Sequence, residues 1–121
     1  MDAAAIRDLF ADILPVRVRM MFGGYGIYDG ELMFALAADG EIYLKADEVT
    51  KSLFEDVGSR PFTYDRKGKP FSLNYWLVPE TALDDVEELR RWTALALQAA
   101  RERKAAKPVR RRGSSPRAPL R

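Results

Sequence analysis

Two Asp-Gly dipeptides, Asp29-Gly30 and Asp39-Gly40, each stand between short apolar runs, and they constrain this chain more than any other feature. Asp-Gly offers two residues that tolerate positive φ, which a tight type I′ hairpin turn needs at both central positions. The flanking runs are Gly26-Ile27-Tyr28, Glu31 to Ala37 and Glu41 to Lys45. They predict an antiparallel meander. Upstream, residues 16–22 alternate: Val16, Val18, Met20 and Phe22 face one way, Arg17 and Arg19 the other. That is the pattern of a half-buried strand. Downstream, residues 61–65 and 71–77 predict two strands around the turn Arg66-Lys67-Gly68-Lys69. Phe71, Leu73, Tyr75 and Leu77 share one face of the second, and Pro79 closes it.

Helical spacing appears three times. Ile6, Leu9, Phe10, Ile13 and Leu14 form one apolar stripe over residues 3–14, with Asp2 as N-cap and Pro15 as terminator. Asp47 caps a short segment carrying Val49, Leu53, Phe54 and Val57, ended by Gly58 in a left-handed conformation. A long helix is predicted from about 84 to 104, opened by an Asp84-x-x-Glu87 capping box. Its buried stripe is Val86, Leu89, Trp92, Ala96 and Ala100, with Thr93 and Leu97 beside it. The expected fold is therefore α+β: an antiparallel meander sheet of about five strands, flanked by an N-terminal helix, a short middle helix and a long C-terminal helix.

Charge divides the chain. Residues 1–100 carry 11 Lys/Arg and 17 Asp/Glu, a net −6, while residues 101–121 carry 9 Lys/Arg and one Glu, a net +8. From Lys107 the sequence KPVRRRGSSPRAPLR has three prolines, six basic side chains and no periodic apolar face. Such a segment buries too little surface to offset about 1–2 kcal/mol per residue of ordering entropy. Residues 1–104 are thus expected to be one domain and residues 105–121 a disordered basic tail.

The chain has no histidine and no cysteine. The commonest general base, the imidazole ligand and the thiolate nucleophile are all missing, so enzyme chemistry and a zinc site are not expected. Asp84, Asp85, Glu87 and Glu88 gather at a helix start, where the macrodipole accounts for them without a metal. No apolar run approaches the roughly 20 residues of a membrane span. The N-terminus MDAAAIRDLF has no basic n-region, which makes a cytoplasmic location the expectation.

The glycine-rich stretch Met21-Phe22-Gly23-Gly24-Tyr25-Gly26 raises the question of a phosphate cradle. A P-loop needs a following Lys-Ser or Lys-Thr and a helix, and neither is present. A dinucleotide fingerprint needs a third glycine where this chain has Asp29. Gly23 and Gly24 are therefore expected to allow a positive φ or a bulge, and Gly26 a close approach by backbone or ring. No cofactor is expected. Tyr25, Tyr28, Tyr43 and Tyr75 suit strand faces and edges better than a base-stacking platform.

Taken together and in order, Met21 to Tyr28, Met33-Phe34-Ala35, Tyr43-Leu44-Lys45, Pro61 to Tyr64, Tyr75-Trp76-Leu77-Val78-Pro79 and the helix from Asp84 resemble the N-terminal domain of the TfoX/Sxy competence regulators. The resemblance covers roughly residues 5–103. It implies an antiparallel sheet flanked by the first and last helices, and a non-enzymatic part in transcriptional regulation of competence. It carries over no catalytic residue. Gly23, Gly24, Gly26, Tyr75 and Pro79 transfer as structural positions. Two-domain members continue into a second domain where this chain has the basic stretch.

The leading expectation is a regulatory protein acting by protein–protein contact, its partner within the transcription machinery or a second copy of itself. The alternative is a nucleic-acid-binding accessory that holds phosphates weakly and without sequence preference through Lys107, Arg110, Arg111 and Arg112.

Overall fold

The computed structural model describes residues 1–21, 23–66 and 68–111, and for 65, 66, 69–72 and 106–111 it describes the backbone alone. Six strands form one antiparallel sheet: β1 (Arg17–Met21), β2 (Gly24–Asp29), β3 (Leu32–Ala38), β4 (Glu41–Lys45), β5 (Pro61–Arg66) and β6 (Lys69–Leu77). Their spatial order is β1-β2-β3-β4-β6-β5, so the first four make a meander and the last hairpin adds through β6. Four helices accompany them: α1 (Ala3–Phe10), α2 (Glu48–Asp56), α3 (Glu80–Leu83) and α4 (Val86–Arg111). The architecture is α+β, as the spacing predicts.

The two Asp-Gly turns differ. Asp39 and Gly40 both take positive φ, +52° and +77°, as a type I′ turn requires. At the other, Asp29 pairs with Leu32, so the central residues are Gly30 and Glu31 and Gly30 has positive φ. The dipeptide is shifted by one position, and Asp29 ends the strand instead of entering the turn.

Between β2 and β3 the register slips. Ile27 lies opposite Ala35, yet Tyr28 lies opposite Met33, which leaves Phe34 as an extra residue. A bulge of this kind breaks the strict alternation of a strand. Phe34 and Ala35 consequently both join the helix-side core, each fully buried, while Leu36 belongs to the opposite face.

Helix ends follow local chemistry. Asp2 Oδ1 accepts from the Ala5 amide at 2.9 Å. Asp47 Oδ1 accepts from the amides of Val49 and Thr50, and Thr50 Oγ1 accepts from the Asp47 amide, closing a capping box. Gly58, at φ +79°, ends α2 with paired bonds from its own amide to Glu55 and from the Ser59 amide to Phe54. The long helix is capped one residue later than its sequence suggests. Asp85 Oδ1 accepts from the amides of Glu87 and Glu88, because the short turn α3 already uses Asp84 as its C-cap. The helix also runs past 104 to Arg111. Ala105 and Ala106 are strong helix formers and continue the ladder, although Pro108 lacks an amide to donate. Residues 112–121 lie outside the described residues.

Ile6 and Phe10 of α1, Phe54 of α2 and Leu89, Ala96 and Ala100 of α4 meet Ile27, Phe34, Ala35, Ile42, Leu44 and Trp76 on one side of the sheet. Phe10 stands edge-on to Phe34 at 5.5 Å, and Phe54 lies between Trp92 at 4.5 Å and Trp76 at 6.1 Å. The alanines of α4 let its backbone come close to β3 and β4. Val86, in contrast, is exposed and leaves the predicted stripe.

One core group is unsatisfied. Thr93 is fully buried, and its Oγ1 has no hydrogen-bond partner among the described residues. An unpaired buried hydroxyl costs about 1–3 kcal/mol. Thr93→Val keeps the shape and removes the hydroxyl, so urea unfolding should show a gain of about 1 kcal/mol. A loss of that size would show that the hydroxyl is bonded in solution.

Candidate functional site

The glycine stretch lies at a hairpin. Gly23, at φ +73°, sits in the turn between Met21 and Gly24, which pair across β1 and β2. A Cβ at Gly24 would collide with the carbonyl oxygen of Ala37, so β2 and β3 can approach there only over a bare backbone. At Gly26 a Cβ would crowd Met21 Sδ at 2.8 Å and the Tyr28 ring at 3.0 Å. A strand follows instead of a helix, so the amides of β2 are engaged in a sheet rather than gathered around an anion. Among the described residues no group of three acidic side chains is placed to hold a metal ion. No helix among them is long and apolar enough to cross a membrane.

The face of the sheet opposite the helices carries its own apolar cluster, built from strand residues alone. Leu36, Tyr43 and Tyr75 are 5%, 7% and 8% exposed, and Met33, Ala38, Phe62 and Leu77 pack against them. These values are low for a face that no helix of the core cluster covers. Neighbouring strand side chains supply the burial: Tyr43 and Phe62 meet edge-on at 5.1 Å, and Phe62 stacks with Tyr64 at 6.1 Å. Beside this cluster opens an apolar cleft of about 310 Å³. Met21, Leu36 and Ala38 line it from the first hairpins, and Phe62, Tyr64 and Leu73 line it from the last. The two ends of the chain's sheet thus contribute to one cavity, which requires the sheet to be strongly curled. Tyr64 and Leu73 remain 36% and 37% exposed, so the cleft opens to solvent.

Polar groups border this face. Arg17 and Arg19 lie over the Tyr28 ring at 5.1 and 5.8 Å. Arg60 donates to Glu41 Oε1 at 2.6 Å, and the Tyr43 hydroxyl donates to the same oxygen at 3.2 Å. Burial, then the Glu41 carboxylate, holds the Tyr43 hydroxyl above its ordinary pKa. Tyr75 is pushed up to about 12, chiefly by burial and then by the Tyr28 hydroxyl, with Arg103 opposing. Lys45 places its Nζ 4.8 Å above the Tyr75 ring. Burial and the charge of Arg103 lower its pKa.

The residues singled out by sequence are distributed as follows. Tyr75 is in the open-face cluster, and Pro79 precedes α3 at its N-cap. Gly23, Gly24 and Gly26 shape the β1–β2 hairpin. Tyr25 packs against the helix-side core, whereas Tyr28 stands under the two arginines. Lys107, Arg110 and Arg111 fall on the final turns of α4, with their side chains outside the described residues, and Arg112 lies outside them altogether. The charged side chains of the β5–β6 turn, Arg66, Lys67 and Lys69, are likewise outside. Lys45, Arg103 and the cleft residues Met21, Phe62 and Leu73 gain importance only from the fold. The alternation of Leu73 with Tyr75 and Leu77 is the one signal that points toward them.

Comparison with known proteins gives a consistent result. The TfoX N-terminal domain family matches residues 8–100. Protein Sxy of Escherichia coli is 28% identical over 106 residues, which are 88% of this chain and 51% of Sxy. DNA transformation protein TfoX1 of Aliivibrio fischeri is 34% identical over 62 residues, 51% of this chain and 30% of TfoX1. An uncharacterised 12.7 kDa protein of Spirochaeta aurantia is 31% identical over 107 residues, covering 85% of this chain and 86% of that protein. The chain therefore spans about half the length of Sxy and less than a third of TfoX1.

The raised pKa of Tyr75 has a stability consequence. Between pH 10 and about 12 the unfolded chain has lost a phenolic proton that the folded chain still holds. Its contribution is complete below pH 10 and is lost as the pH rises through the folded value, by about 2–3 kcal/mol in all. An absorbance titration of the tyrosines should show a phenol ionising near pH 12 that Tyr75→Phe removes, while the raised Tyr43 remains. An unchanged titration after this substitution in the region of pH 12 would contradict the assignment.

Proposed function

The chain belongs to the TfoX N-terminal domain family, and on that premise we propose that it is a non-enzymatic regulatory protein that acts by binding another protein, within the control of transcription. TfoX1 is by name a DNA transformation protein, and control of DNA uptake is the process this reading carries to the chain. A cytoplasmic location belongs to the same reading. The observation that supports it best is the open-face cleft between Met21, Leu36, Phe62 and Leu73. It is apolar and opens to solvent at Tyr64 and Leu73, which is how the core of a protein interface is composed before a partner covers it. Aromatic anchors such as Phe62 and Tyr64 carry much binding energy when a partner desolvates them. Catalysis has no comparable support, since the chain contains neither histidine nor cysteine.

The occupant that fits is an apolar segment of a partner protein, with one or two large side chains in the cleft. A photo-crosslinking residue in place of Leu73 should yield a discrete protein adduct in the native host. The same residue in place of Glu55, exposed on α2, should not. Identical adducts from both positions, or none from position 73, would refute the reading. An adduct with a second copy of this chain would identify the partner as itself.

A further inference from the structure

We propose that Lys45, Arg103 and Lys104 form a binding site for a phosphate group. The three line a surface notch of about 380 Å³ between β4, β6 and α4, together with Tyr75, Ala100 and Glu31. Lys45 and Tyr75 are register partners on β4 and β6. The ring of Tyr75 therefore supports the Lys45 ammonium from below, at 4.8 Å. Ala100 is buried against the sheet, and Arg103 and Lys104 follow it by three and four residues, one helical turn later. That spacing brings two further cations over the same end of the sheet.

What sets the cluster apart is the convergence of three cations on one notch with a single carboxylate, Glu31, beside them. The ion pairs among the described residues join Arg17 to Glu31, Lys51 to Glu48, Arg60 to Glu41 and Arg90 to Glu87. None includes Lys45, Arg103 or Lys104. Glu31, at the rim, is engaged with Arg17 at 4.0 Å, and Glu102 accepts from Gln98. Burial and the facing Arg103 guanidinium both make the charge of Lys45 costly to hold. A bound dianion removes that cost, since it offers each cation a short, charge-assisted hydrogen bond. The helix macrodipole does not account for the cluster. Its effect fades within the last turn, and Arg103 lies well before the end of α4 at Arg111.

The phosphate has two chemical sources. A small phosphomonoester fits the notch directly. A nucleic-acid backbone would extend along α4, where Lys107, Arg110 and Arg111 follow Arg103 at i+4, i+7 and i+8. The test is an NMR titration of the full chain with inorganic phosphate near neutral pH, at constant ionic strength set with chloride. The backbone amides of Lys45, Tyr75, Arg103 and Lys104 should shift and saturate. Lys45→Met and Arg103→Met should each weaken binding by about tenfold or more, a factor set by the loss of one charge-assisted contact. Their unfolding midpoints should stay within error of the parent. Lys51→Met, a lysine on α2, should bind as the parent does. Shifts that never saturate, or binding unchanged in both variants, would overturn the proposal. Parallel titrations with AMP and a short single-stranded oligonucleotide separate the sources. Tighter binding of AMP identifies a phosphomonoester, and tighter binding of the oligonucleotide identifies a nucleic-acid backbone.

Discussion

One antiparallel sheet sealed on a single face is the constraint from which the rest follows. The helices α1, α2 and α4 deliver Phe10, Phe54, Leu89 and Ala96 to one side, where Ile27, Phe34 and Leu44 become fully buried. Burying an aromatic or branched side chain contributes about 1.5–3 kcal/mol, so this side supplies most of the folding free energy. The bulge at Phe34 and Ala35 makes the arrangement possible. It turns two successive residues toward the helices and returns Leu36 to the other face.

The opposite face then has to solve its own hydration problem. Its strands carry Tyr43, Phe62, Tyr75 and Leu77, which bury one another side to side and leave a cleft at the end nearest Met21. Glycine matters here through absence of bulk. Gly24 admits the carbonyl of Ala37, and Gly26 admits Met21 and Tyr28. The same segment that resembles a phosphate loop by composition therefore builds one wall of the apolar cleft. Charge is concentrated elsewhere, where Lys45 meets the basic end of α4.

Local chemistry was legible in the sequence, and long-range juxtaposition was not. Asp39-Gly40, the Asp47 cap and the Gly58 terminator act within a few residues, and each appears where its residues predict. Asp29-Gly30 shows the limit: the pairing of Asp29 with Leu32 decides which residues turn, and that depends on the neighbouring strands. The N-cap of α4 moved from Asp84 to Asp85 because α3, a single turn, precedes it. A bulge leaves no mark in a run such as Leu32-Met33-Phe34-Ala35-Leu36, where every residue is apolar. The cleft joins Met21 to Phe62, and the cationic notch joins Lys45 to Arg103. Neither pair has a sequence signature, since only the curl of the sheet and the length of α4 bring them together.

The central claim is that the two faces of the sheet differ: one is sealed by the chain's own helices and the other keeps an apolar cleft open to solvent. Carbene footprinting of the purified chain, read residue by residue, tests it most directly. Phe62, Tyr64 and Leu73 should label readily, while Ile27, Phe34 and Leu44 stay unlabelled until the chain is unfolded. Labelling of Phe34 and Leu44 as heavy as that of Leu73 in the folded chain would contradict the account.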